Sequence, residues 1–100
     1  MISVIIPTYN SLNTLIEALK SIIIQNVKGL EIIIIDDSPD NKIKHYIASL
    51  NNCFIKYYKN KTVLGTTESR IKGLLLASNK YVAFMDHDDI STNNAYKVLL

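Results

Sequence analysis

Six aspartates supply most of the acidic side chains in this sequence, and they fall in two groups: Asp36, Asp37 and Asp40, then Asp86, Asp88 and Asp89. Each group comes directly after an apolar run, Ile32–Ile35 and Tyr81–Met85, and the single arginine, Arg70, lies between them. Asp86 and Asp88 stand two apart, so in extended backbone their side chains point the same way. Carboxylates gathered in one place repel one another unless a cation compensates. Hard divalent cations take oxygen ligands, and Mg²⁺ commonly combines one or two carboxylates with substrate phosphates. A metal–diphosphate site is one reading of the Asp86-His-Asp-Asp89 string. A solvated acidic turn, with Asp89 or Ser91 capping a following helix, is the other, and the string alone divides evenly between them.

The remaining residues limit what such a metal could hold. The only glycines are Gly29, Gly65 and Gly73, so no G-x-G-x-x-G follows an apolar run and no G-x-x-x-x-G-K-[ST] loop exists. A nucleotide would then be held by its base, its ribose and a metal-bound diphosphate. Asp37 could accept from a base imide N–H or a ribose hydroxyl, and Tyr9 could pack on a base. Arg70 could reach the same place, lie on the surface or pair with Asp36. His87 reads as a spacer, and His45, among Lys42 and Lys44, as a surface residue. One cysteine, Cys53, gives neither a disulfide framework nor zinc spacing. Beside Phe54 it reads as a small buried hydrophobe, and a reducing cytosolic compartment fits.

Elements must position these residues. Ile2–Ile6, Glu31–Ile35, Phe54–Tyr58 and Tyr81–Met85 are short, β-branched and near-continuously apolar, as strands buried on both faces of a parallel sheet are. Between them, Leu12, Leu15, Ile16, Leu19, Ile22 and Ile23 step by three and four, the stripe of a helix starting near Ser11 or Asn13. A second helix is predicted from about Asp40, as N-cap, to Ser49 with Ile43 and Ile47 inward. A third starts near Thr66 or Thr67 and carries Ile71, Leu74 and Leu75 inward to about Asn79. A last one runs from Thr92 to Leu100 with Ala95, Val98 and Leu99 inward. The order βαβαβαβα implies an α/β domain with a mostly parallel sheet and right-handed crossovers. In such sheets ligands bind beyond the carboxyl ends of the strands. That rim carries Pro7, Thr8, Tyr9 and Asn10, then Asp36 to Ser38, then Asp86 to Asp89.

Composition closes other routes. One hundred residues make one domain, and 48% hydrophobic with 20% charged residues excludes intrinsic disorder. The formal charge of +2, without a polybasic block, gives no argument for nucleic acid. No apolar run approaches the roughly 18 residues of a membrane span. A secretory signal is not expected, because a strand-like run succeeds Met1 at once.

Four strings together resemble the nucleotide-binding half of a family-2 glycosyltransferase with the GT-A fold: Ile2-Ser-Val-Ile-Ile-Pro-Thr-Tyr-Asn10, Glu31-Ile-Ile-Ile-Ile-Asp-Asp-Ser38, the segment from Gly65 through Arg70 to Gly73, and Tyr81-Val-Ala-Phe-Met-Asp-His-Asp-Asp89. The resemblance covers almost the whole chain. It implies a Rossmann-like, three-layer α/β/α half-domain with strand order 3-2-1-4. It implies that Pro7, Thr8, Tyr9, Asn10 and Asp37 contact the nucleoside, that Asp36 is structural, and that Arg70 lies near base or diphosphate. Asp86 would contact the ribose or support the metal, and Asp88 would bind Mn²⁺ or Mg²⁺. The donor would be a nucleoside diphosphate sugar, UDP-sugar favoured, and the acceptor a saccharide or lipid-linked hydroxyl in cell-surface polysaccharide or glycolipid synthesis. The expected reaction inverts the anomeric carbon, with its general base beyond Leu100, so residues 1–100 would hold the donor and metal site only and be inactive alone. The location would be cytoplasmic, at most peripheral to the inner face of the membrane.

Strand order 3-2-1-4 would leave Tyr81–Met85 as an apolar edge, an association hazard. The chain is therefore expected either to be part of a longer enzyme or to form a homodimer over that edge. Two other functions compete. A receiver-like phosphoacceptor domain also gathers aspartates near Mg²⁺, although a strand and helix precede the Asp36–Asp37 pair here. A binding-only nucleotide-sugar module is the other.

Overall fold

The computed structural model describes residues 2–25 and 28–85, together with the backbone of 97–99. The elements are β1 (Ile2–Thr8), α1 (Leu12–Ile23), β2 (Leu30–Asp36), α2 (Lys42–Leu50), β3 (Ile55–Lys59), α3 (Gly65–Leu76), β4 (Tyr81–Phe84) and β5 (Lys97–Leu99). They form one sheet in the order β3-β2-β1-β4-β5. The first four strands are parallel, with Thr8 beside Asp36 and Asp36 beside Lys59 in register. The order 3-2-1-4 and the parallel sheet agree with the sequence. It is not the 2-1-3-4-5 order of receiver domains, which removes that alternative.

Alternation along each strand builds the layers. Val4, Ile6, Ile32 and Ile34 point to one face, where Leu15, Ala18, Leu19 and Ile22 of α1 and Ile43 and Ile47 of α2 cover them. Ile5, Ile33, Ile35 and Val82 point to the other face, that of α3. Both faces of β1 and β2 are thus dry, which is why these strands read as continuous apolar runs.

The structure corrects α3. Its buried residues are Ser69 and Gly73, one turn apart, while Ile71, Leu74 and Leu75 are exposed. A Cβ at Gly73 would lie 2.4 Å from Ile5 Cγ2. The helix backbone therefore rests almost directly on β1, and only small side chains fit between. Counting apolar residues at helical spacing selects the wrong face when close approach needs small ones.

Two further corrections concern β5 and Cys53. Where the sequence predicts the end of a last helix, Lys97–Leu99 is strand β5, antiparallel to β4 with Val98 beside Ala83, and residues 92–96 lie outside the described residues. β5 consequently occupies the edge of β4 that the sequence predicts to be open, which removes the ground for a homodimer there. Cys53 is exposed, in the turn between α2 and β3, and not a buried hydrophobe. Asp40 caps the start of α2 from one position earlier than the Asn41 N-cap, its carboxylate accepting from Lys42 N at 3.2 Å.

A polar hub stands at the amino ends of the strands. Glu31, nearly buried, accepts from Ser3 Oγ at 2.7 Å, from Ser78 N at 3.0 Å and Oγ at 2.6 Å, and from the Lys56 ammonium. Burial pushes the carboxyl up, but Lys56, Ser78 and Ser3 outweigh it and hold its pKa down to about 2. This one residue joins β1, β2, β3 and the α3–β4 connection. No helix among the described residues is long and apolar enough to cross a membrane.

Candidate functional site

The carboxyl ends of β1 and β2 are adjacent, so the residues leaving them share one rim. Asp36 ends β2 and is fully buried. Its carboxylate accepts from Thr8 Oγ1 at 3.2 Å, from Ser38 N at 2.8 Å and from the Tyr57 hydroxyl at 2.5 Å. Burial, and then the hydrogen bond to the Asp36 carboxylate, push the Tyr57 phenol well above its ordinary range. Asp36 therefore holds β1, its own loop and β3 together, as expected of a structural residue, and has no need of Arg70.

Asp37 turns to the α3 side. Its Oδ1 accepts from the Asn60 side-chain amide and from Leu64 N at 3.1 Å, and its Oδ2 from Gly65 N at 2.8 Å. Leu64 and Gly65 are the N-cap and first residue of α3, whose amides have no partner inside the helix. A carboxylate there also complements the positive end of the helix dipole. Gly65 reaches this position with φ +82°, a conformation that glycine adopts without strain.

Pro7, Thr8, Tyr9, Asp37, Val63, Gly65 and Thr66 line a cleft of about 270 Å³. Three of the residues expected at a nucleoside site on the first loop thus meet Asp37. Tyr9 is 49% exposed, with its ring available to a ligand, whereas Thr8 is buried against Asp36. Asn10 is not brought to this cleft. It takes φ +50°, its N donates to Ser38 Oγ at 2.8 Å, and it lines a separate hollow of about 670 Å³ with Ser11–Thr14, Ser38, Asp40, Lys42 and Ile43. The larger hollow lies between the starts of α1 and α2, while the smaller one is lined by Pro7, Thr8, Tyr9 and Asp37 of the predicted nucleoside residues.

Arg70 borders neither space. Its guanidinium lies over the Phe84 ring, 5.8 Å from the centroid, a cation–π contact that holds it beside the end of β4. Met85 N still donates to Ile5 O at 3.0 Å, so β4 ends on the same rim as β1 and β2. Asp86, His87, Asp88 and Asp89, the candidate metal and ribose residues, lie outside the described residues. Among the described residues no group of three or more His, Cys, Asp or Glu side chains could hold a metal ion.

Asn60 and Glu31 were not singled out in the sequence. Asn60 offered no signal beyond its place just after a strand. Glu31 offered one: a lone acid at the start of an apolar run.

A parallel sheet of this order, with helices on both faces, is a GT-A-like α/β architecture. S. aureus TarS shares it, with TM-score 0.77 and 32% identity over 88% of this chain and 27% of that one. A mannosyltransferase from Pyrobaculum calidifontis, solved with GDP-Man and Mn²⁺, has the same fold at TM-score 0.76 and 22% identity, over 87% of this chain and 27% of that one. The family description "Glycosyl transferase family 2" matches residues 3–100, and the chain belongs to that family. An uncharacterised glycosyltransferase of Rickettsia conorii is 41% identical over 99% of this chain and 16% of its own length. The UDP-Glc:alpha-D-GlcNAc-diphosphoundecaprenol beta-1,3-glucosyltransferase WfaP of Escherichia coli is 34% identical over 89% of this chain and 36% of its own. The chain thus spans well under half the length of these relatives.

Proposed function

We propose that residues 1–100 form the donor-binding part of an inverting glycosyltransferase that moves a sugar from a nucleoside diphosphate, with UDP preferred, to a hydroxyl of a saccharide or lipid-linked acceptor. The observation that carries this reading is the cleft at the carboxyl ends of the parallel strands, where Asp37 and the half-exposed Tyr9 ring face one space. Family membership supports the reaction class. The UDP-Glc donor and undecaprenol-linked acceptor named for the E. coli relative support the substrate classes and a role in cell-surface polysaccharide or glycolipid assembly. A cytoplasmic location, peripheral to the inner face of the membrane at most, goes with such a donor and acceptor.

In this reading Tyr9 packs on the base and Asp37 accepts one of its N–H groups. A carboxylate has about four lone-pair sites, and three donors already occupy those of Asp37, two on Oδ1 and one on Oδ2. Oδ2 keeps one for a ligand. Pro7 and Thr8 shape the wall opposite Val63 and Thr66. Arg70, held by Phe84, stands beside the end of β4 and contributes positive charge on the diphosphate side. Asp88, with Asp86, would hold Mn²⁺ or Mg²⁺, which supplies charge neutralisation for the departing diphosphate. Asn10 contributes by fixing the loop to Ser38. In this reading residues 1–100 bind the donor, and none of the described residues is assigned as the base that deprotonates the acceptor.

Calorimetric titration with UDP, GDP and CDP, each with and without Mn²⁺, tests the reading. UDP should bind most tightly and more tightly with Mn²⁺. Asp88→Ala should remove the Mn²⁺ increment. Asp37→Ala should weaken UDP binding about tenfold with or without metal, the loss of a hydrogen bond to a charged group. No metal-dependent binding, or binding unchanged in Asp88→Ala, overturns the assignment.

A further inference from the structure

Asp37 does not hold itself in place. Asn60 comes directly after β3, and its N still donates to Asp36 O at 2.9 Å, so its side chain leaves a fixed point beside the Asp37 carboxylate. Asn60 is 6% exposed. Its Oδ1 accepts from the Lys72 ammonium at 2.7 Å, and its amide nitrogen donates to Asp37 Oδ1 and to Ser69 Oγ, the latter at 3.2 Å. The two charged partners fix which way the amide faces. An ammonium only donates and an ionised carboxylate only accepts, so a side chain placed between them must offer an acceptor to one and a donor to the other. Lys72 and Ser69 both belong to α3, as does Gly65, which also binds Asp37. The amide therefore links the carboxylate to the helix whose first turn forms one wall of the cleft.

We infer that Asn60, oriented by Lys72, is a positioning residue for donor recognition: it holds the Asp37 carboxylate against the start of α3 in the arrangement that leaves one Oδ2 lone pair for the ligand. The inference rests on the reading of Asp37 as a nucleoside contact, and it names residues that touch no ligand. Asn60 occupies Oδ1, and without it that oxygen competes with Oδ2 for the ligand's N–H and for Gly65 N.

The test is Asn60→Asp in the 100-residue chain, read in two ways against the unsubstituted chain at the same pH. The first readout, without ligand, is hydrogen exchange of the Leu64 and Gly65 amides. The second is UDP affinity in the presence of Mn²⁺. At neutral pH the introduced carboxyl faces Asp37 and cannot donate to it. Exchange at both amides should accelerate and UDP affinity should fall roughly tenfold, the loss of a charge-assisted hydrogen bond. Acid that protonates the introduced carboxyl restores a donor, and both readouts should return toward those of the unsubstituted chain. A merely structural role predicts instead that UDP affinity falls in step with global stability in urea, without selective acceleration at these two amides. Lys72→Met, at a half-buried position, tests the same relay where the first variant fails to fold. It should lower UDP affinity about threefold and accelerate the same two amides, and Lys72→Arg should restore both. Unchanged amide exchange in these variants, or an Asn60→Asp effect independent of pH, overturns the positioning role. Altered exchange in a chain that binds no nucleotide in any form upholds the relay and overturns the nucleotide reading instead.

Discussion

Replacing Gly73 by alanine is the most direct probe of how α3 meets the sheet. The added Cβ would stand 2.4 Å from Ile5 Cγ2, 3.2 Å from Cγ1 and 3.3 Å from Cβ. Ile5 is fully buried and shares its cluster with Ile33 and Val82. It is also β-branched and stiff at χ1, so it has no alternative direction to take. The helix must lift. Two effects then oppose one another. Alanine in a helix interior gains about 1 kcal/mol over glycine. Overpacking a tight core costs about 1–3 kcal/mol, and three atoms within contact put this site near the upper figure. The net expectation is a loss of about 2 kcal/mol, or a fall of about 1.3 M in the urea midpoint for a slope near 1.5 kcal/mol per M. Ile5→Ala removes both offending Cγ atoms at a cost of about 3 kcal/mol on its own. The double variant should be better than the sum of the two by about 2 kcal/mol, the signature of residues in direct contact. A Gly73→Ala chain as stable as the original, or a strictly additive pair, would refute the close approach. Because α3 also presents Leu64 N and Gly65 N to Asp37, the same lift should weaken UDP binding.

Three other outcomes concern single residues of the fold. Glu31 has a folded-state pKa of about 2 against an ordinary 4.5, so its contribution is fully present above the ordinary value and is lost as pH falls toward 2. That contribution is at most on the order of 3 kcal/mol, and Glu31→Gln should flatten the acid limb of a stability–pH curve. Tyr57 is held protonated beside Asp36, so the unfolded chain releases this proton at lower pH than the folded one. Stability should then fall as pH rises beyond 10, and Tyr57→Phe should diminish that fall while costing about 1.5–3 kcal/mol at neutral pH. Gly65→Ala should cost about 1–2 kcal/mol in chemical denaturation, from its positive φ alone, since open space surrounds the position.

The sheet was readable in the sequence because strands buried on both faces must be continuously apolar, and Val4–Ile6 and Ile32–Ile35 are. The rim was readable for a related reason: polar residues directly after such a run have one place to go. α3 was misread because the quantity that decides its orientation is how closely Gly73 approaches Ile5, and no periodicity of apolar residues encodes a distance. β5 is not legible as a strand because Ala95, Val98 and Leu99 are too few and too closely spaced to separate the two periods. Asn60 carries no local signature, since its meaning lies in two partners, one 23 residues before it and one 12 after.

Glu31 and Asp37 occupy opposite ends of one strand, six residues and therefore about 20 Å apart at roughly 3.3 Å per residue. At that distance and an effective dielectric of about 20, two unit charges interact by less than about 1 kcal/mol, so charge arriving at one end is weakly felt at the other. The sheet is thus fastened at both poles by a buried carboxylate, Glu31 at the amino ends and Asp36 at the carboxyl ends. Only the second fastening adjoins the proposed donor cleft, so a change at Glu31 should alter stability while leaving donor affinity as it is.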